Sequence, residues 1–507
     1  MARVDEWTMA RPVARLMAVS DSFPDPGEFG AAFVAFMRAM HQVARVPEPP
    51  VVARLRAHLG AEPADLPVTG ANFREADRPN LQLALDAVLP GHELIGLHPH
   101  MGGGFASLLS AAPSVAFASQ GGASPRYLDV ALGDGRVLHC IANAVLLAQF
   151  EGVPVALVIS DGEDGGPARV FGPHGSAPEI RLEGISPDGD TVSGLLAALR
   201  AAMLEHNVFR GQIISIAANG GVTFPAVPEV ERGSVVLPDG TLERLEQHAL
   251  GISEHAGELR AAGRHLKRGV LLHGPPGTGK TLSVNYLLTR TTGRTTVLLT
   301  GPALGHLSTA FAIARDLQPA TVVLEDVDLV ATERTMPGGG GAILFGLLNE
   351  LEGLSEDTDL LAVLTTNRPD VVEPALAARP GRVDLALEMP LPDAEGRRRL
   401  LGLYAREIDL PQDALLRLVS RTEGVTGAFI KELMRQATLR AAAAGTRAGA
   451  ADVLAIVDEL LDERAKLTRS LLGHLGADTS EPARPSAAMV SAVRASGLTI
   501  RSVDLLS

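Results

Sequence analysis

Residues 268–281 constrain the fold of this chain more than any other stretch, because three local signals follow one another there. The apolar run 270–272 predicts a buried strand, and a helical pattern begins at Lys280. Between them, 274–281 matches G-x-x-x-x-G-K-[ST], a loop whose backbone N–H groups cradle phosphate. A glycine turn that binds nothing would not require this strand and this helix. The stretch therefore predicts a phosphate-binding loop at the edge of a parallel α/β sheet.

Alternating strand and helix patterns continue from this loop to residue 392 and predict a parallel sheet covered by helices on both faces. The expected strands are 270–272, 296–299, 321–324, 360–364 and 383–387. Beyond this sheet the pattern becomes helical to about residue 473, with a strong helix beginning near Thr426.

Polar side chains follow two of these strands. Glu325 and Asp326 end an apolar strand, and Asn367 follows the next one. In a nucleotide hydrolase, one such carboxylate holds Mg²⁺ and the other polarises the attacking water. Solvated strand caps are the alternative, but the preceding phosphate loop makes a catalytic pair the better interpretation. Asn367 is then expected near the γ-phosphate or the attacking water.

Arg379 and Arg382 flank a Pro-Gly turn before the last expected strand. Two arginines at this spacing suit cationic groups that reach the nucleotide of a neighbouring subunit. Surface ion pairs would be the default interpretation of these two arginines taken by themselves.

Together these motifs resemble the AAA family of the AAA+ ATPases over residues 232–470. The resemblance implies a P-loop NTPase fold with a helical lid, ATP and Mg²⁺ as ligands, and ring hexamers that remodel proteins. It implies metal contacts from Thr281 and Glu325, catalysis by Glu325, Asp326 and Asn367, and fingers at Arg379 and Arg382. The implied nucleotide contacts are Ile252, Gly274, Pro275, Pro276, Gly277, Thr278, Gly279, Lys280, Thr281, Leu282, Gly427 and Ala428.

Three departures from the family pattern bear on mechanism. The acids run Glu-Asp, where most members have Asp-Glu, so Asp326 would polarise water with a side chain one methylene shorter. The segment 301–307 lacks the aromatic residue with which threading members grip a chain, and the first aromatic after it is Phe311. The glycine run 337–341 suits a second pore loop and a plain connector equally well.

The remaining residues carry no recognised motif, and we divide them by their patterns of apolar, glycine and proline residues. We expect a helical segment at 1–90, a mixed α/β partner-recognition domain at 91–225, a connector at 226–268 and a nucleotide-binding domain at 269–392. A helical lid at 393–473 and a tail at 474–507 would follow. Within 91–225 the expected strands are 114–117, 127–132, 155–160, 168–171 and 212–217, and the expected helices are 141–150 and 191–206.

Composition narrows the functional classes. The chain has 507 residues, a net charge of −14 and a single cysteine, Cys140. An acidic balance argues against general nucleic-acid binding, and one cysteine provides no disulfide framework. No stretch has the roughly 20 apolar residues of a membrane span, and no secretory signal is evident, so a cytoplasmic location is expected.

Three functions remain open at this stage. The first is an ATPase that remodels a protein client recognised through residues 1–230, as a homo-oligomer for which a hexamer is favoured. The second is a binding protein whose assembly is gated by nucleotide, with slow or no hydrolysis. The third is a nucleic-acid remodeller of the clamp-loader type, against which the acidic charge weighs.

Overall fold

A computed structural model describes residues 30, 32–36, 49–97, 104–110, 124–161, 179–328, 341–353, 358–370, 383–406 and 408–472. The chain divides into two compact units, which meet in sequence between Pro392 and Asp393. Within the described ranges, no helix is both long enough and apolar enough to cross a membrane.

The N-terminal part of the first unit is an antiparallel sheet with helices on both faces. Its elements are α1 (Pro50–Leu59), β1 (Thr69–Arg74), α2 (Arg78–Val88), β2 (Glu93–Gly96), α3 (Gly104–Ser110), β3 (Arg126–Ala131), β4 (Val137–Phe150), β5 (Val153–Asp161), β6 (Glu179–Ile185) and α4 (Gly189–Glu205). The strand order is β1-β6-β5-β4-β2, and β3 pairs with β4. Side chains of α2 and α4 form one core with the sheet, and those of α1 and α3 form a second.

The helix expected at 141–150 was wrong, because these residues belong to β4. Nearly all of this apolar run is buried between the two cores, one on each face of the sheet. A continuous apolar run that is buried on both faces cannot be told from a buried helix by periodicity. Strands expected at 127–132 and 155–160 and the helix at 191–206 are confirmed within a few residues. Those expected at 114–117 and 168–171 lie outside the described residues.

Two strands pair across the domain boundaries that were expected from the sequence. β1 lies in the segment expected to be helical and pairs with β6, far beyond residue 90. The strand expected at 212–217 is present as β7 (Ile213–Ile216), but it pairs with a strand of the second sheet rather than with the N-terminal one. The N-terminal region therefore contributes directly to the sheet that carries the phosphate loop.

The second sheet has seven strands in the order β13-β9-β12-β11-β10-β7-β8, and all neighbours are parallel except β7 and β8. Its further elements are β8 (Val222–Thr223), α5 (Thr241–Glu246), α6 (Ala256–Ala261), β9 (Arg268–His273), α7 (Lys280–Arg290), β10 (Thr295–Thr300), α8 (Leu307–Asp316), β11 (Ala320–Glu325), α9 (Gly341–Glu352), β12 (Leu360–Thr366) and β13 (Leu385–Glu388). The five strands expected after residue 269 are all confirmed.

Helices cover both faces of this second sheet. Side chains of α8 and α9 pack on one face, and those of α5 and α7 pack on the other. The strands between them read as continuous apolar runs because both of their faces are buried. The fold expected from sequence, a P-loop parallel sheet preceded by a mixed α/β region, is the fold of the first unit.

The two sheets are joined by specific contacts next to β1. Ala76 is buried in the same core as α8 and β10. The Arg74 guanidinium donates to Asp77 and, at 3.0 Å, to Asp316 at the end of α8. The Val208 N–H donates to the Asn80 side-chain oxygen at 2.9 Å. These contacts tie the N-terminal sheet to the nucleotide-binding sheet.

The second unit is helical, as expected. Its helices are α10 (Ala394–Ala405), α11 (Gln412–Arg421), α12 (Gly427–Ala443) and α13 (Ala450–Leu472). Thr426 caps α12, because its hydroxyl accepts a hydrogen bond from the Phe429 N–H at 3.3 Å.

Candidate nucleotide-binding site

The phosphate loop connects the carboxyl end of β9 to the first turn of α7. Gly274 has φ +144° and Gly279 has φ +102°, values that side-chain-bearing residues rarely adopt. A Cβ on Gly274 would lie 2.3 Å from the Met389 carbonyl oxygen, so only glycine fits where the loop passes that backbone. Pro275, Pro276 and Gly277 are exposed at the open side of the loop.

Lys280 is buried inside this loop. Its Nζ donates to the carbonyl oxygens of Gly274 and Pro275, at 2.8 Å each, and the Thr278 hydroxyl also donates to Pro275. Burial lowers the pKa of the Lys280 ammonium, and the nearby Asp326 and Asp328 carboxylates oppose that shift. The loop therefore surrounds one buried positive charge at the N-terminus of a helix, an arrangement suited to polyphosphate.

Glu325 ends β11 beside the first turn of α7. The Thr281 hydroxyl hydrogen-bonds the Glu325 carboxylate, while burial and the adjacent Asp326 raise the pKa of that carboxyl. Its Oε1 atom is buried and has no hydrogen-bond partner. A buried oxygen without a partner, next to a hydroxyl, fits a hard cation such as Mg²⁺, which takes one or two protein oxygens and completes its shell with phosphate and water.

Asp326 adopts φ +53°, an uncommon conformation for a residue other than glycine. Its N–H donates to the Thr365 hydroxyl at 3.0 Å, and its Oδ1 accepts a hydrogen bond from Asn367 Nδ2 at 3.0 Å. The parallel pairing of β11 with β12 brings these strand ends together. The two acids thus face different partners, since Glu325 contacts Thr281 and Asp326 contacts Asn367.

Asp328 is a site residue that the sequence reasoning missed. It is buried, and its Oδ1 accepts hydrogen bonds from the Thr366 hydroxyl at 2.9 Å and from the Asn367 N–H at 3.0 Å. Asp328 therefore orients Asn367 through its backbone. The available signal was a third carboxylate two residues after Asp326, which is hard to distinguish from a solvated turn in sequence alone.

The connector forms one wall of a cavity of about 1310 Å³. Gly251 and Ile252 line it from one side, and Tyr286 with Thr289 lines it from α7. Leu282, in the first turn of α7, is partly buried and packs against the core on this face of the sheet. Ile252 thus lies in the cavity wall, whereas Leu282 lies in α7, two residues after Lys280.

Four further candidates lie outside the described residues or in the second unit. Arg379 and Arg382 lie outside the described residues, as do residues 337–340 of the glycine run. Gly427 and Ala428 form the first turn of α12 in the second unit.

Residues 301–307, which contain no aromatic residue, are helical rather than an open loop. Residues 301–306 form a 3₁₀ helix that leads into α8, and His306 Nε2 donates to the Ala218 carbonyl at 2.9 Å. Phe311 is completely buried in the core. The first aromatic after β10 therefore packs inside the protein.

Comparison with known proteins agrees with this geometry. A family model described as "ATPase family associated with various cellular activities (AAA)" matches residues 270–391, which contain the loop, both acids and Asn367. Residues 270–391 form an AAA ATPase domain. The matched residues contain strands β10 to β13 and most of β9.

Several curated proteins are similar in sequence to part of this chain. ATP-dependent zinc metalloprotease FtsH 1 of Symbiobacterium thermophilum is 38% identical over 202 residues, 37% of this chain and 34% of the relative. Proteasome-activating nucleotidase of Methanocaldococcus jannaschii is 32% identical over 231 residues, 42% of this chain and 53% of the relative. The same nucleotidase from Pyrococcus horikoshii is 31% identical over 266 residues, 48% of this chain and 66% of the relative. The chain thus spans about half the length of the curated relatives it matches.

Proposed function

We propose that this protein binds ATP with Mg²⁺ and hydrolyses it in ring oligomers, hexamers being favoured, to remodel a protein client. The proposal rests on the different contacts that the two acids make at the end of β11. Glu325 presents an unpartnered oxygen beside Thr281, and Asp326 is hydrogen-bonded to Asn367. One carboxylate is therefore free for a cation, and the other is oriented for water.

In the proposed mechanism, Lys280 and the loop N–H groups bind the β- and γ-phosphates. Asp326 accepts a proton from the attacking water, and Asn367 holds both that carboxylate and the water in line with the γ-phosphate. Arg379 and Arg382 of the next subunit would stabilise the charge that develops on the transferred group. Bound Mg²⁺ would supply charge neutralisation on the phosphate oxygens.

The client would be chosen by residues 1–230, which the family match does not cover. The relatives named as proteasome-activating nucleotidases and a metalloprotease support a protein client, since their names connect them with proteolysis. We place the protein in the cytoplasm because its single cysteine suits a reducing compartment, and we expect no nucleic-acid partner because the chain is acidic.

A second candidate function is a binding protein whose assembly is gated by ATP. The burial of Phe311 favours it, because a core residue cannot grip a threaded chain. The short Asp326 side chain at the water-polarising position points in the same direction.

Steady-state ATP hydrolysis measured against protein concentration tests the two candidates, with wild type and Asp326→Asn side by side. Specific activity that rises with concentration, together with an inactive variant, is expected for ring ATPases with shared sites. If wild type binds ATP but turns over no faster than the variant, hydrolysis is not its function and the gated binding protein is favoured.

A further inference from the structure

Asp326 has an unusual backbone conformation for its place in the chain. Within the described ranges, three residues other than glycine have a positive φ, namely Glu151, Asp326 and Arg406. Glu151 lies in the tight turn between β4 and β5, and Arg406 directly follows α10, two places where positive φ values are common. Asp326, with φ +53°, directly follows a buried strand instead. A positive φ costs free energy at a residue other than glycine, and it persists only where the surroundings determine it.

Thr365, near the end of β12, supplies this constraint from the neighbouring strand. Its hydroxyl accepts a hydrogen bond from the Asp326 N–H at 3.0 Å, and its carbonyl oxygen accepts one from the Val327 N–H, also at 3.0 Å. These two N–H groups belong to the planar peptide units on either side of the Asp326 Cα, so fixing both restricts φ and ψ together. Thr365 is only 2% exposed, and the regular pairing of the two strands ends one residue before it, at Leu324 and Leu364. A buried side chain beyond the paired residues therefore helps to hold Asp326 in place.

The backbone of Asp326 determines where its carboxylate can reach. An aspartate side chain has one rotatable bond fewer than a glutamate, so its carboxylate follows the direction of the Cα–Cβ bond more closely. In the observed conformation, Asp326 Oδ1 accepts a hydrogen bond from Asn367 Nδ2 at 3.0 Å. The end of β12 thus holds Asp326 twice, since Thr365 contacts its backbone and Asn367 contacts its carboxylate.

We propose that Thr365 is a positioning residue for ATP hydrolysis, because it holds Asp326 in the conformation that directs the carboxylate toward Asn367 and the attacking water. The inference rests on the proposed function and deepens it, since it assigns the orientation of the proposed base to a threonine that contacts only its backbone. The alternative role for the Thr365 hydroxyl is to satisfy the Asp326 N–H and so to stabilise the fold. The two roles differ in their effects on turnover and on the residue that is preferred at position 326.

The first test measures stability in the full chain and needs no nucleotide. Glycine adopts a positive φ without the steric cost that a Cβ imposes. Asp326→Gly should therefore unfold at a higher denaturant concentration than Asp326→Ala, the reverse of the order at an extended position. The advantage of glycine should disappear when Thr365→Val is added, because position 326 is then free to relax. The comparison with native Thr365 remains decisive even if the Thr365 variants do not fold.

The second test measures turnover and nucleotide binding separately. Thr365→Val removes the hydroxyl and keeps the β-branched shape. It should lower kcat about tenfold, the effect of one hydrogen bond, and leave the calorimetric affinity for Mg·ADP at the wild-type value. Thr365→Ser returns the hydroxyl and should recover kcat.

Thr321→Val is the matched control for this test. Thr321 is equally buried, and its hydroxyl accepts a hydrogen bond from Arg294 Nε at 3.4 Å, but it lies near the opposite end of β11. Loss of this hydroxyl removes a buried hydrogen bond without touching Asp326, so kcat should be retained.

A double-mutant cycle separates positioning from general damage. Asp326→Asn leaves no carboxylate base to orient, so adding Thr365→Val should cause no further loss of the residual rate. A further tenfold loss in the double variant would show that Thr365 acts independently of Asp326, and it would overturn the inference.

Two other results would also overturn the inference, namely wild-type kcat in Thr365→Val and equal stability of Asp326→Ala and Asp326→Gly. In each of these cases, wild type that hydrolyses ATP beside an inactive Asp326→Asn leaves the proposed function standing. Wild type that turns over no faster than Asp326→Asn would overturn the proposed function and this inference together.

Discussion

Asn367 donates a hydrogen bond from its side-chain amide to the Asp326 carboxylate, with 3.0 Å between Nδ2 and Oδ1. The contact joins the ends of two neighbouring parallel strands, and Asp328 fixes the Asn367 backbone from below. An oriented carboxylate beside a phosphate loop is suited to activating water, despite the Glu-Asp order of the two acids.

The first prediction concerns this carboxylate. Asp326→Asn should lower kcat by about 10²–10⁴-fold, because an amide cannot accept the proton of the attacking water. ATP binding should persist, since Lys280 and the loop remain. Steady-state hydrolysis and calorimetric ATP binding measure the two effects. Asp134→Asn, at an exposed pair with Arg136 in the N-terminal sheet, is the control that should hydrolyse at the wild-type rate. Wild-type turnover by Asp326→Asn would contradict the assignment of the base.

The second prediction concerns the loop backbone. Gly274→Ala should abolish ATP binding, because its Cβ would meet the Met389 carbonyl oxygen at 2.3 Å and φ +144° is strained for alanine. Gly305→Ala is matched to it, since a Cβ there meets nothing within 4 Å, and it should bind ATP normally. Equal affinities for the two variants would show that the loop adopts another conformation.

The third prediction tests whether the site is shared between subunits. Lys280→Ala and Arg379→Ala should each be inactive alone, because one loses the phosphate contact and the other loses the finger. A mixture should recover part of the activity, since an Arg379→Ala subunit keeps an intact loop and receives Arg379 from its Lys280→Ala neighbour. The measurement is hydrolysis by mixtures at constant total protein. Activity that never exceeds the sum of the two single variants would argue for fingers acting within one chain.

The fourth prediction concerns the boundary between the N-terminal region and the nucleotide-binding sheet. A protein truncated to begin at residue 226 would lose Phe209, Ile214 and Ile216, which are fully buried in the core of the second sheet. Each such side chain contributes about 1.5–3 kcal/mol by burial, and the edge of β10 would be left unpaired. We expect this protein to aggregate.

A protein that begins at residue 207 keeps β7 and β8 and should remain in solution. Size-exclusion chromatography of the two truncated proteins compares them directly. A monodisperse protein from residue 226 would show that β7 is dispensable.

The fifth prediction uses the single cysteine as a reporter. Burial raises the pKa of the Cys140 thiol from 9.0 to about 12, so alkylation by iodoacetamide at pH 8 should be slow in the native protein and rapid in denaturant. The native state binds this proton more tightly than the unfolded chain. The contribution to stability is therefore complete below about pH 9 and is lost as pH rises toward 12. Fast alkylation of the folded protein would contradict the buried position of β4.

Local motifs were enough to predict much of the nucleotide-binding sheet. The glycine loop requires a strand before it and a helix after it. The apolar runs that stop at Glu325 and Thr366 predict where two further strands end. Chain order and parallel pairing then bring Glu325, Asp326 and Asn367 to one edge, which explains why this part of the site could be predicted.

Other features depend on partners that are distant in sequence. Residues 141–150 form a strand because cores lie on both of its faces, and no periodicity in the segment records that. Asp328 belongs to the site because Thr366 and Asn367 donate to it, which depends on the pairing of β11 with β12.

The sequence by itself determined the phosphate loop, the parallel sheet around it and the identity of the acids, because each depends on neighbours in the chain. Only the tertiary structure decided that β7 extends this sheet and that Arg268 and Arg294 anchor the connector through Ser253. The physical reason is that strand partners and buried charge partners are chosen by packing between remote segments. A buried guanidinium must find its acceptors wherever the fold brings them.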